Sequence, residues 1–284
     1  RRLWTWRSPG GKPAIWSSPA VSGNRAFVGI ASQFGDTPLE AGRLVALDEA
    51  SGRPLWDECV RPRCQLGSGV WSSVAVDGQG RGYVGVGNPD DAVLAVDIAT
   101  GRRLWETSLH PDNGQDLDVG ATPVLFEQDG VERLAVGSTG GDFAILDAAS
   151  GQVVWHRTVE SGSAVHGLLG SAAYDGRQLY LPSASPPTGV LAISPGQGDR
   201  VWQYATAEPV YSSPALGDGV LALGTGAVFG STGAGEVLVL STQDGHLVWS
   251  EDVHSAVWSS PAIAGDDLYV GDHAGTLFSF LPSG

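Results

Sequence analysis

Trp16-Ser17-Ser18-Pro19-Ala20, answered downstream by Ala46-Leu47-Asp48-Glu49-Ala50-Ser51-Gly52-Arg53-Pro54-Leu55-Trp56, are the two segments that decide how this chain folds. The opening returns, whole or as a relic, at Trp71, Gly120, Gly167, Tyr211 and Trp258, at spacings of 44 to 55 residues. Between the two segments the apolar residues alternate or cluster in short runs bounded by Gly, Asp and Asn, as in half-buried and buried strands. A period of about 40–50 residues with such content points to a radial β array. The ends complement each other. Ser283-Gly284 joined to Arg1-Arg2-Leu3-Trp4 would match Ser51-Gly52-Arg53-Pro54-Leu55-Trp56 and Thr100-Gly101-Arg102-Arg103-Leu104-Trp105.

The pattern predicts an all-β chain: a six-bladed β-propeller of four-stranded blades, closed by pairing of the N-terminal strand, residues 1–6, with the C-terminal blade. The blades fall at 16–56, 71–105, 120–155, 167–202, 211–249 and 258–284 plus 1–6, all in a single domain spanning 1–284. In the first, strands are expected at 17–21, 25–30, 43–48 and 53–56, and no segment sustains a helical period. Asp-x-x-Ser/Thr-Gly reads as a turn, with Asp accepting from backbone N–H groups and Gly supplying positive φ. Trp4, Trp56, Trp105, Trp155, Trp202 and Trp249 recur once per repeat, and each indole is expected to wedge between sheets with its N–H on a neighbouring carbonyl.

Composition narrows the function. A formal charge of −15 with Lys12 as the only lysine argues against nucleic acid, whose binders cluster Lys and Arg. No apolar run reaches the roughly 18 residues that suggest a membrane span. The chain has no methionine, even at position 1, which reads as a mature exported protein, periplasmic or extracellular, with its signal peptide removed. Cys59 and Cys64 are read first as a loop-pinning disulfide, ahead of free thiols. Two insertions, at 32–42 and 110–119, break the repeat, and departures of this kind are where sites reside.

The W-S-S-P-A and A-x-D-x-x-T-G repeats resemble those of the pyrroloquinoline-quinone (PQQ) type β-propellers, a superfamily of quinoprotein alcohol dehydrogenases and non-enzymatic relatives. The resemblance covers the whole chain and is sharpest from about residue 27 to residue 147. By it, Trp71 matches the tryptophan beneath the quinone. Asn88, in Gly85-Val86-Gly87-Asn88-Pro89, matches the asparagine that binds calcium. Asp116 matches the catalytic base, with Asp118 as the alternative, in the stretch His110-Pro111-Asp112-Asn113-Gly114-Gln115-Asp116-Leu117-Asp118. Gln33 stands where the family has a calcium-binding Glu, and Thr139 where it has an Arg or Lys on the quinone. The adjacent-cysteine disulfide that covers the quinone is missing, and the family's dehydrogenases have eight blades where six are counted here.

Asn88, Asp112, Asp116 and Asp118 offer oxygen ligands to a Ca²⁺ ion, or form a solvated turn capped by carboxylates. Glu40 could stand in for the carboxylate lost at Gln33. Trp16, Trp71, Tyr211 and Trp258 head the innermost strands, either as a stacking platform for a planar ligand or sugar or as packing between strands. His166 is a further acid–base candidate, although a lone histidine is more often structural. The expectation is a monomeric binding or scaffold protein that engages a small molecule, glycan or protein partner at the channel mouth. The alternatives are a PQQ- and calcium-dependent alcohol dehydrogenase and a protein-assembly module.

Overall fold

A computed structural model describes residues 1–33, 39–111, 114–228 and 234–281. Among them lie six antiparallel sheets and a single helical turn, the 3-10 turn Pro62–Cys64. The first sheet holds Pro13–Ala14, Ala20–Ser22, Arg25–Ser32, Arg43–Asp48 and Pro54–Cys59. The second holds Ala75–Val76, Arg81–Val86, Ala92–Asp97 and Arg103–Ser108, and the third Val124–Gln128, Val131–Gly137, Asp142–Asp147 and Val153–Thr158. Ala173–Tyr174, Leu179–Ser183, Gly189–Ile193 and Arg200–Ala205 form the fourth, and Ala215–Gly217, Val220–Gly224, Gly235–Ser241 and Leu247–Val253 the fifth. The sixth has three strands, Ala262–Ala264, Asp267–Gly271 and Leu277–Phe280.

Residues 1–9, expected to supply a strand, carry none, and the sixth sheet has three strands among the described residues. The segment is held by its indoles instead of by a ladder. Trp4 and Trp6 pack on Val28, Ile30, Val45 and Leu47 of the first sheet, and Trp4 Nε1 donates to Glu49 O at 2.8 Å.

The chain forms two compact units. The first comprises Arg1–Gly140 with Ala144–His156, the second Gly141–Phe143 with Arg157–Gly284. In the first, the two-residue strand period explains why whole strands are apolar. Val84, Val86, Leu94 and Val96 of the second sheet join Phe27, Leu44 and Trp56 in one core. Their alternates Tyr83, Val93 and Ala95 join Leu134, Val136 and Leu146 in another. Each sheet face therefore buries its own row, and a fully buried large apolar side chain contributes about 1.5–3 kcal/mol. In the second unit, Tyr180, Val190, Leu221 and Leu238 form one core, and Val237, Val257 and Val270 another.

The repeated motifs are joints between sheets. Trp56 Nε1 donates to Ile98 O (3.1 Å), Trp105 Nε1 to Ala148 O (3.2 Å) and Trp202 Nε1 to Thr242 O (3.1 Å). Each indole lies on the glycine that ends the corresponding turn of the next repeat: Gly101 for Trp56, Gly151 for Trp105 and Gly245 for Trp202. At Gly101 (φ +77°) a Cβ would come 2.9 Å from the Trp56 ring, so glycine serves both the turn and the joint. The paired serines divide the work. Gly85 N donates to Ser72 Oγ (2.8 Å) and Gly224 N to Ser212 Oγ (2.9 Å), stitching neighbouring strands of one repeat. The second hydroxyl reaches the adjacent repeat. Ser18 N donates to Ser73 Oγ (3.0 Å) and Ser73 N to Thr122 Oγ1 (2.9 Å) in the first unit, and in the second Ser171 N donates to Ser213 Oγ (2.9 Å). Cys59 and Cys64 are joined by a disulfide, as first read.

Candidate functional site

In the first unit the loop that ends at Val119 carries Asp118 against the start of the second repeat. Trp71 Nε1 donates to Asp118 Oδ2 at 2.8 Å, and Asn88 N donates to Asp118 Oδ1 at 2.6 Å. The indole can lie there because position 120 is glycine, where a Cβ would fall inside the Trp71 ring. Gly120 is thus more than a worn copy of the aromatic that opens other repeats. It makes room for the previous repeat's tryptophan. Asn88 is fixed through its main chain: its carbonyl accepts from Ser68 N (2.6 Å), and its bond to Pro89 is cis.

Thr139 closes the back of this cluster. It is 1% exposed, its N–H donates to Asp118 O at 2.9 Å, and its hydroxyl leans on Asp116 O at 3.4 Å. The Asp116 side chain also interacts with that of Asp118. Burial raises the Asp118 pKa above the ordinary carboxylate range. The Asn88 N–H, the Trp71 N–H, Asp116 and the charge of nearby His110 pull the other way. His110 Nδ1 lies 3.7 Å from the carboxylate of Asp91, a residue 1% exposed. Trp71, Asn88, Asp116, Asp118 and Thr139 are therefore brought together, and Asp118, read as the alternative to Asp116, is the hub.

The other sequence candidates lie elsewhere. Gln33 is exposed, and Asp112 is outside the described residues. Glu40 accepts from Lys12 N and so fastens the N-terminal segment. Trp16 is 60% exposed with Nε1 anchored on Ser32 O at 3.0 Å, which presents a fixed indole to solvent. In the second unit Tyr211 donates to Val165 O (2.9 Å), and Trp258 lies 4.0 Å from the His273 ring. His166 sits in an exposed turn with Nδ1 2.9 Å from Ser163 Oγ. The sequence reading passed over Glu160, whose pKa burial pushes up to about 7 against the pull of a Ser183 hydrogen bond. No motif marks it.

Among the described residues the match to a quinone and calcium site is incomplete. Each oxygen of Asp118 accepts one N–H, Thr139 is buried with its hydroxyl turned to the backbone, and Gln33 is neutral and exposed. Among the described residues no three His, Cys, Asp or Glu side chains are grouped to hold a metal ion.

The family model described as outer membrane protein assembly factor BamB matches residues 1–166, 40–214 and 187–281. The chain belongs to this family. It is also 27% identical over 278 residues to a polyvinylalcohol dehydrogenase of Pseudomonas sp, covering 79% of this chain and 43% of that protein. The chain thus spans less than half the length of this curated relative. The quinohemoprotein alcohol dehydrogenase ADHIIG of Pseudomonas putida HK5 superposes with a TM-score of 0.79 at 15% identity, over 95% of this chain and 57% of that one. BamB of Moraxella catarrhalis gives 0.55 at 18% identity, over 94% and 85%. The structural likenesses establish fold alone, and the repeat is of the quinoprotein-like propeller kind. No helix among the described residues is long and apolar enough to cross a membrane.

Proposed function

We propose that this chain is an exported binding or scaffold protein of the BamB-type family, its six repeats forming one domain, rather than a quinone-dependent catalyst. One observation carries the reading. The residues matching a quinone and calcium pocket are hydrogen-bonded to one another, with Trp71 and Asn88 both donating to Asp118. A carboxylate so engaged fixes a loop, and its raised pKa opposes the ionised form that a cation needs. The Cys59–Cys64 disulfide supports an oxidising compartment. The ligand side is aromatic: Trp16 offers a face whose edge is already tied down, so stacking on a sugar or other planar group costs little ordering.

The test is to mix the purified chain with PQQ and Ca²⁺ and follow absorbance and dye-linked alcohol oxidation. The reading predicts neither tight quinone binding nor oxidation. Tight binding lost in Trp71→Ala and Asp116→Asn would overturn it. The dehydrogenase alternative draws on the identity to polyvinylalcohol dehydrogenase. In that case Asp116 would take a proton from an alcohol, and oxidation would then be seen in the same assay. The assembly alternative draws on the family description.

A further inference from the structure

Strand register sets one row of side chains across each of three sheets: Phe27, Ala46 and Trp56 in the first, Tyr83, Ala95 and Trp105 in the second, and Tyr180, Ala192 and Trp202 in the fourth. In each row the leading ring packs on the tryptophan over the small alanine, at centroid separations of 5.9, 5.8 and 5.6 Å. The fifth sheet places Ala222, Val239 and Trp249 in the same register. Its leading ring is missing, and valine in place of alanine returns only part of that volume. A cavity of about 410 Å³ lies there, bordered by all three residues and by the sixth sheet, entirely within the second unit. Small-molecule sites span roughly 300–1,000 Å³. The walls are open to solvent. Val248 and Ile263 are 51% and 36% exposed, and Val239, Trp249 and Phe280 are half-buried, whereas Ala46, Ala95 and Ala192 in the filled rows are fully buried. Phe280 of the sixth sheet stands 4.9 Å from Trp249, tilted by 60°, so two aromatic side chains border the opening. The charged groups lining it are both acidic. Asp266 is exposed, and Asp267 holds the Tyr269 hydroxyl at 2.8 Å through Oδ2.

We propose that this cavity binds an aromatic amine, a single ring carrying a protonated amino group on a short chain. The ring takes the place of the missing one, against Trp249 with Val239 and Ile263 beside it, and the ammonium meets Asp266 and Asp267 at the rim. Side chains around an unfilled space lack contacts on one side, and a ring of the size used in the other rows restores them. Aromatic pairs favour tilted or offset contacts of the kind those rows already make. The carboxylates set the orientation, because a charge-assisted hydrogen bond to ammonium is stronger than one to a neutral group. A formal charge of −15 also draws cations toward the surface and turns anions away.

Calorimetric titration of the whole chain with phenethylamine, phenethyl alcohol and phenylpropionate tests the assignment. Phenethylamine should bind saturably, phenethyl alcohol about tenfold more weakly for want of the charge, and phenylpropionate without measurable heat. The double substitution Ala222→Phe, Val239→Ala rebuilds the row of the first sheet. It should weaken phenethylamine at least about tenfold while the chain unfolds at a temperature no lower than the parent. Asp266→Asn with Asp267→Asn should weaken phenethylamine about tenfold and leave phenethyl alcohol as it was. The proposal falls if phenethylamine gives no saturable heat, if phenylpropionate binds as tightly as the amine, or if a folded chain with the rebuilt row keeps its affinity. It also falls if the two carboxamides leave the amine as tightly bound as before, a result that does not depend on how the rebuilt row folds.

Discussion

Two carboxyl groups, one in each unit, have been lifted above their ordinary pKa by burial, and they have been treated differently. Asp118 receives the Trp71 indole N–H and the Asn88 main-chain N–H, one on each oxygen, and interacts with Asp116. Glu160 has Ser183 and nothing else, and its Oε1 is buried without a partner. A polar group completed by the protein has become part of the framework, whereas one left incomplete carries a desolvation cost that nothing returns. Resemblance to a cofactor pocket pointed toward the first, and no motif pointed toward the second.

The largest expected effect comes from removing the framework carboxylate. Asp118→Ala leaves two part-buried N–H donors without an acceptor, and at about 1–3 kcal/mol for each stranded group the loss should be about 2–4 kcal/mol in urea unfolding. A cost below about 1 kcal/mol would show that solvent replaces the carboxylate and that the two sites do not differ as drawn.

Glu160 should respond in the opposite sense. A folded-state pKa raised from 4.5 to about 7 means that the contribution of Glu160 to stability is full below the unfolded value and is lost as pH rises through about 7. Near pH ~8, Glu160→Gln should therefore be more stable than the parent by up to about 3 kcal/mol, with no gain near pH ~4. Paired unfolding curves at the two pH values check this, and an unchanged difference would mean that the carboxyl is solvated. Asp118 is raised as well, so its ionisation also erodes stability as pH climbs above the ordinary carboxylate range. Ser183→Ala should cost the least, about 1–2 kcal/mol, since it removes the hydroxyl that donates to Ser185 O at 2.9 Å and supports the Glu160 carboxyl.

Most of the sheet architecture was legible in the repeat, because each motif residue performs a local task that a sequence displays. Trp56 and Gly101, or Ser73 and Thr122, are joints repeated with the period of the chain. The Cys59–Cys64 bridge was legible from its short loop. What escaped notice depends on contacts between distant positions. Gly120 looks like decay of the motif until the Trp71 ring is seen above it. Asp118 ranked behind Asp116 by motif resemblance, yet hydrogen bonding makes it the hub. Residues 1–9 carry a strand-like sequence but are held by the packing of Trp4 and Trp6. His166 lies in an exposed turn that a motif search does not separate from a site, and Glu160 follows a strand end with nothing in its neighbours to advertise burial.

The most direct test is the unfolding free energy of Trp71→Phe, measured without and with PQQ plus Ca²⁺. This change deletes the N–H bound to Asp118 while keeping a large aromatic ring. If the cluster is framework, the variant should lose about 2 kcal/mol with nothing added, and the cofactor pair should stabilise neither protein. Equal stability of the two proteins without ligand, together with a rise in parent stability on adding PQQ and Ca²⁺, would contradict the account.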